Sequence, residues 1–278
     1  MAHVGARTAR GKVGVAVAFV AVLGFSLFPV VMMVSAALDP RANDGSPNLL
    51  PTAFTLDNFA FVLDEGGFTT YLRNSLIVAL ATVAISGALA LLAAVAVARF
   101  KFRFRTAVLV MILVVQMVPL EALVIPLFLQ AKNLNLLNHL LGLVIVYVAF
   151  SLPFAIWTLR GFVAAVPVEI EEAAYVDGAS WSRMFWSILF PLVAPGLVAT
   201  SVFSFITAWN EFVFAITFMN DEDQYTVAAG LRQFFTQYTT DWGSVMAGST
   251  IITVPVMLFF VAVQRRLSSG LAAGAVKG

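Results

Sequence analysis

A chain of 278 residues with 61% hydrophobic and only 11% charged side chains cannot clothe itself in a water-facing surface, because a soluble domain carries about 25% charged residues. The expected solvent is the lipid bilayer, and a net charge of +1 argues against a nucleic-acid partner. The absence of cysteine excludes disulfides, thiolate metal sites and cysteine nucleophiles, and the two histidines, His3 and His139, are too few and too far apart for a metal site or a catalytic base.

A spanning helix needs about 20 apolar residues. Six segments meet that length: 15–38, 72–98, 106–130, 140–160, 192–219 and 244–263. The expected fold class is all-α, a polytopic membrane protein with six transmembrane helices. One membrane domain, 15–263, lies between an N-terminal segment, 1–14, and a C-terminal tail, 264–278. The first segment follows Arg7, Arg10 and Lys12 as the core of a signal peptide would. It is too long for such a core, and its exit, Ser35-Ala36-Ala37-Leu38-Asp39-Pro40, is only weakly cleavage-like, so it is read as an uncleaved anchor.

Basic residues set the orientation. With the N-terminus inside, twelve of the sixteen Lys and Arg fall on cytoplasmic segments, leaving only Arg41, Arg73, Lys132 and Arg232 outside. Both termini are thus expected in the cytoplasm. The cluster Arg99-Phe100-Lys101-Phe102-Arg103-Phe104-Arg105 reads as a topological anchor beside anionic lipid. The outer loop 39–70, with Pro40, Pro47 and Pro51 among acidic residues, reads as a loop with short ordered pieces. In the third segment Pro119 and Pro126 should kink the helix, and Glu121 lies between them at membrane depth. An intramembrane carboxylate is costly and usually faces the bundle interior. Near the outer end of the fifth segment stand Trp209, Asn210 and Glu211. The outer stretch that follows, with Phe234, Phe235, Tyr238 and Trp242, is expected to form an interfacial helix.

The connector between the fourth and fifth segments, 161–191, carries the most detailed local pattern. Pro167 stands where a helix could begin, its missing N–H being unneeded at the first position. Glu169, Glu171 and Glu172 fall in the first turns, where a helix N-terminus favours negative charge by about 0.3–1 kcal/mol each. Ile170, Ala173, Ala174 and Asp177 are spaced to share a face. Gly178 ends the helix in the left-handed conformation that glycine accepts. A second amphipathic stretch carries Trp181, Met184, Phe185, Ile188 and Leu189, and Pro191, Pro195 and Gly196 reopen the next span. Periodicity alone allows two readings of this elbow: a lever gripped from the cytoplasm, or an ordinary connection packed on its own bundle.

The residue identities resemble a known pattern: Glu-Ala-Ala, three residues, Gly, nine residues, Ile, one residue, Leu, Pro. Glu172, Ala173, Ala174, Gly178, Ile188 and Pro191 match it, with Phe190 in place of Leu. This is similar to the signature loop of permease subunits of ATP-binding-cassette importers. Leu152-Pro153-Phe154-Ala155-Ile156-Trp157, Leu159-Arg160-Gly161-Phe162, Ala208-Trp209-Asn210-Glu211-Phe212 and the tail from Gln264 resemble the maltose-type carbohydrate branch. The resemblance implies a cytoplasmic coupling helix between spans four and five, in which Glu172, Ala173, Ala174, Asp177 and Gly178 dock on a separate ATPase. It also implies a second, homologous permease, an ATPase dimer holding ATP and Mg²⁺, and an external sugar-binding protein, in the inner or plasma membrane of a prokaryote.

The chain itself has no Gly-x-x-x-x-Gly-Lys-Ser/Thr loop to cradle ATP phosphates, so hydrolysis is expected on the partner subunit and no enzymatic activity in this chain. Gln116, Glu121, Tyr147, Trp209, Asn210 and Glu211 are the candidate sugar path. Glu121 also reads as a bridge between helices, and Asn210 and Glu211 as interfacial residues in water. The glycine-rich tail reads either as a frayed terminus or as a small-residue strand slipped between the ATPase subunits. The alternative function is a secondary transporter or channel independent of any ATPase. That would predict paired ionisable residues at midplane and internal repeats, and neither is visible in the sequence.

Overall fold

The computed structural model describes residues 9–44, 50–236 and 238–275, with side chains from Lys12 to Gln264. His3, Arg7, Pro47 and the last three residues of the tail lie outside the described residues, as do the side chains of Arg10, Arg265 and Arg266. Twelve α-helices follow one another among those residues: α1 (Ala9–Ala37), α2 (Asp57–Asp64), α3 (Phe68–Arg99), α4 (Arg105–Gln116), α5 (Val124–Asn133), α6 (Leu140–Ala165), α7 (Val168–Val176), α8 (Trp181–Met184), α9 (Phe190–Asn210), α10 (Val213–Phe218), α11 (Val227–Gly230) and α12 (Trp242–Ala275). The β-structure among them is one isolated antiparallel bridge, Phe235 to Thr240. Among the described residues five helical stretches are long and apolar enough to cross a bilayer: Lys12–Ala37, Phe68–Arg99, Leu140–Ala165, Trp181–Asn210 and Trp242–Gln264.

Three expectations need correcting. The expected third span, 106–130, is not one helix: Arg105–Gln116 and Leu120–Asn133 meet at 92°. The break falls at Pro119, whose backbone is extended and is followed by a single 3₁₀ turn, Leu120–Leu123. Pro126 causes no kink, because it sits in the first turn of α5, where no N–H is required. The expected fifth span, 192–219, ends at Asn210. Glu211 is extended there, and its carboxylate accepts the amides of Phe214 (2.9 Å) and Ala215 (3.1 Å), opening the separate helix α10. Among the described residues no helix runs through Phe234–Trp242, where an interfacial helix was expected. Phe234 is buried among Phe61 and Phe68, and the Thr236 hydroxyl donates to Thr239 O at 2.7 Å, folding the chain back on itself.

The chain forms two compact units. In the first, residues 1–68 with 231–253, α1 is exposed on all sides from Lys12 to Val31, as a lipid-facing helix would be. Its C-terminal end is fastened by Asp39. Oδ1 accepts from the Thr52 hydroxyl (2.7 Å) and the Arg41 amide (2.9 Å), and Oδ2 from the Thr52 amide (3.0 Å). The Thr52 hydroxyl, then these amides, hold the Asp39 carboxyl below its ordinary value. Asp241 caps the start of α12, accepting from the Ser244 hydroxyl at 2.6 Å and from Asn43 at 3.0 Å. Burial pushes its carboxyl up, but those donors together win and leave it below the ordinary value.

In the second unit, residues 69–230 with 254–278, α3, α6 and α9 share a core. Small residues let the helices approach: Ala90 and Ala94 of α3 and Ala155 of α6 are buried, and Gly196 of α9 lies against the Phe162 ring. Phe154 packs on Phe203 with ring centroids 4.0 Å apart, and Phe205 stacks on Phe259 at 4.1 Å. The helix from Trp181 to Asn210 is continuous, but Phe185–Leu189 is a π turn in which the Phe190 amide reaches back to Phe185 O. Pro191 explains the widening. It has no N–H for the Ser187 carbonyl, and its ring would crowd that carbonyl in an ordinary α turn.

Candidate functional site

The connector between α6 and α9 is an elbow whose geometry follows from a few residues. Val166 is extended (ψ 121°), as a residue before proline must be, and ends α6. Pro167 sits at the N-cap, one position earlier than the sequence reading placed it, and α7 begins at Val168. At the other end Gly178 has φ +81°. Its amide donates to Tyr175 O (3.0 Å) and that of Ala179 to Ala174 O (2.9 Å), the paired bonds of a Schellman stop. Ser180 then caps α8, its hydroxyl accepting the Arg183 amide at 3.3 Å.

Burial divides the predicted face of α7. Glu172, Ala173, Asp177 and Gly178 are exposed, whereas Ala174 is buried within the chain's own core and turned away from solvent. Exposed apolar side chains surround the elbow, notably Val176 (87%), Trp186 (58%) and Trp181 (50%). Only two side chains of α7, Glu171 and Ala174, are buried. Glu171 is held by Arg99 at the end of α3, with Nη2 2.7 Å from Oε1 and both side chains nearly enclosed. The same guanidinium donates to Val166 O at 2.9 Å. Sequence reasoning missed this pair by treating Arg99 as one of four equivalent anchors. Lys101 and Arg103 are exposed, and Arg99 turns inward. The signal available was electrostatic: a cation in the last turn of one helix and a carboxylate in the first turns of another are each at home at their helix ends.

The residues expected along a polar path do not form one cluster. Tyr147 and Glu211 are joined, the phenol donating to the carboxylate at 2.6 Å. Trp209 is buried and stacks on Phe205 with centroids 5.4 Å apart. Asn210 is exposed at the helix end. Gln116 and Glu121 are exposed, and neither side chain has a partner among the described residues. Sequence reasoning passed over a set of buried hydroxyls inside the bundle. Ser86 of α3 meets Ser204 of α9 at 3.4 Å, while Thr82 and Ser151 are buried with no partner for their hydroxyls among the described residues.

Five apolar helices of spanning length among the described residues are the mark of a helical membrane protein, and its elbow leaves Trp181 and Trp186 exposed. Comparison with known proteins carries this further. Residues 86–272, a stretch that includes the whole elbow, match the family described as binding-protein-dependent transport system inner membrane component, and the chain belongs to that family. It is 39% identical over 254 residues to the diacetylchitobiose uptake system permease protein DasC of Streptomyces coelicolor, covering 91% of this chain and 92% of that one. It is 38% identical over 257 residues to the trehalose/maltose transport system permease protein MalG of Thermococcus litoralis, covering 91% and 92%. Over 259 residues it is 35% identical to the trehalose transport system permease protein SugB of Mycobacterium tuberculosis, covering 92% and 94%. The fold is similar to a chain of a bacterial ABC transporter that imports the acidic polysaccharide alginate, with a TM-score of 0.76 at 21% identity, covering 91% of this chain and 95% of that one.

Proposed function

We propose that this chain is the permease subunit of an ATP-driven sugar importer, translocating a sugar or oligosaccharide delivered by an external binding protein. The observation that carries the reading is the elbow at 167–190. A stiff, exposed, partly apolar lever is supported by relatives that serve the uptake of diacetylchitobiose, trehalose and maltose. Glu172, Ala173, Asp177 and Gly178 form the surface offered to a separate ATPase dimer, which binds ATP and Mg²⁺. Ala174 acts from beneath, its methyl seating α7 on the bundle. Six spans with both termini in the cytoplasm place the elbow on the ATPase side, the bent pair of α4 and α5 serving as the third span. A second, homologous permease completes the pathway.

Closure of the ATPase dimer carries the elbow with it and swings the bundle from inward-open to outward-open. Moving such an equilibrium from 1:99 to 99:1 requires about 5.5 kcal/mol of differential binding, which favours a connector that does not flex. Tyr147, Trp209, Asn210 and Glu211 lie toward the outer mouth of the path, and Gln116 and Glu121 complete it from the bent pair. The test is deletion of the gene followed by uptake of radiolabelled diacetylchitobiose, trehalose and maltose. Loss of at least one uptake activity, restored by the natural chain, is expected. Unchanged uptake of all three would sink the sugar assignment. Active transport by the chain alone, in vesicles with no ATPase, would sink the coupling.

A further inference from the structure

We propose that Arg99 is a positioning residue for coupling: its ion pair with Glu171 ties the elbow to α3, so that motion of α7 reaches the bundle by a second route besides the continuous helix α8–α9. The proposal rests on the docking reading above and adds a path to it.

Packing gives α7 little hold on its own bundle. Its buried side chains are Glu171 and Ala174, and the second contributes one methyl group. Beside them lies a cavity of about 140 Å³, lined by residues that include Arg99, Glu171, Tyr175, Trp181 and Phe185. Close packing therefore does not fix α7 on that side. The Arg99–Glu171 contact does, at 2.7 Å, with the side chains 13% and 9% exposed. Enclosure weakens screening by salt and water, and a charge-assisted bond of this length is among the stronger kinds. The guanidinium also holds Val166 O at 2.9 Å, the carbonyl at which α6 gives way to the elbow. One planar group thus fixes the end of α3, the end of α6 and the first turns of α7. Among the described residues it forms the one salt bridge.

The test uses the whole assembly, isolated through a tag on this chain, with Mg-ATP and orthovanadate as probes. Because the chain has no cysteine, Leu92→Cys on α3 and Leu192→Cys on α9, both about half exposed, report movement through the rate of maleimide labelling. In an otherwise natural chain both rates change when the probes are added, and phosphate release shows that the ATPase accompanies the chain. Arg99→Met combined with Glu171→Met leaves no lone buried charge, a replacement that is often neutral for stability. This double variant should retain the ATPase and the α9 response and lose the α3 response. Arg99→Lys keeps the charge but lacks the planar fork that serves two acceptors at once, and should give a reduced α3 response. A full α3 response in the double variant overturns the link. If that variant does not reach the membrane, a full α3 response in Arg99→Lys overturns it instead. A natural chain that brings down no ATPase overturns the docking reading and the link with it.

Discussion

Substitution of Gly178 by alanine changes one thing at the elbow: the backbone must hold φ near +81° with a side chain attached. No atom lies within 4 Å of the position a Cβ would take, so steric overlap contributes nothing. The cost is conformational, about 1–2 kcal/mol for an L-residue in the left-handed region. That corresponds to a factor of about 5–30 in the population of the closed Schellman stop. Asparagine visits this region more readily than alanine, and valine, being β-branched, is worse than either. The expected order of damage is therefore Asn, Ala, Val. Hydrogen exchange measured on the peptide spanning Gly178 and Ala179 should accelerate in that order, because the two amides lose their carbonyl partners Tyr175 O and Ala174 O. Sugar uptake at matched membrane levels should fall in the same order. Unaltered exchange in Gly178→Ala, or an asparagine variant worse than valine, would refute the reasoning, since the open space leaves no steric explanation.

Tyr147→Phe removes the 2.6 Å bond to Glu211; hydrogen bonds to charged groups contribute about 1.5–3 kcal/mol, so the thermal unfolding midpoint in detergent should drop, and an unchanged midpoint would count against the bond. Gly196→Ala places a Cβ 2.5 Å from ring carbons of Phe162. Overpacking of this kind costs about 1–3 kcal/mol, whereas Gly161→Ala, which meets nothing within 4 Å, should not lower the midpoint. For Asp39 the folded carboxyl titrates below the unfolded one, which lies near about 3.9. Its contribution is complete above that value and lost as pH falls through the lowered folded value. Exchange of the Arg41 and Thr52 amides, corrected for intrinsic rate, should therefore accelerate below about pH 4, and Asp39→Asn should abolish the dependence.

The long helices were legible because lipid selects for apolar length, which a sequence displays directly: the starts of the fourth and sixth spans fall within two residues of the helices α6 and α12. The Gly178 stop was legible for a local reason, since glycine at a helix end has few other uses. The fifth span was misjudged at Glu211 because the apolar run beyond it, from Phe212 to Phe218, gives no hint that the carboxylate accepts the first amides of a separate helix. Phe234 read as an interfacial aromatic because no periodicity announces that Phe61 and Phe68, some 170 residues earlier, receive it. Arg99 was hidden by its neighbours: four basic residues alternate with aromatics, and only tertiary structure singles out the one that turns inward. The spacing put Ala173 and Ala174 on one face of α7, but burial separates them: Ala174 belongs to the core and Ala173 is exposed.

The wide turn at Phe185–Leu189 acts as a phase adjuster between the elbow and the span it leads into. An α-helix advances about 100° per residue around its axis, so a wheel drawn from Trp181 cannot be carried across that turn into α9. A π turn takes one residue more than an α turn, so the side chains beyond Phe190 fall about 100° from where an unbroken wheel from Trp181 would put them. Which side chains of α9 meet the core is thereby set by one extra residue in a short segment whose own Phe185 and Leu189 are buried there.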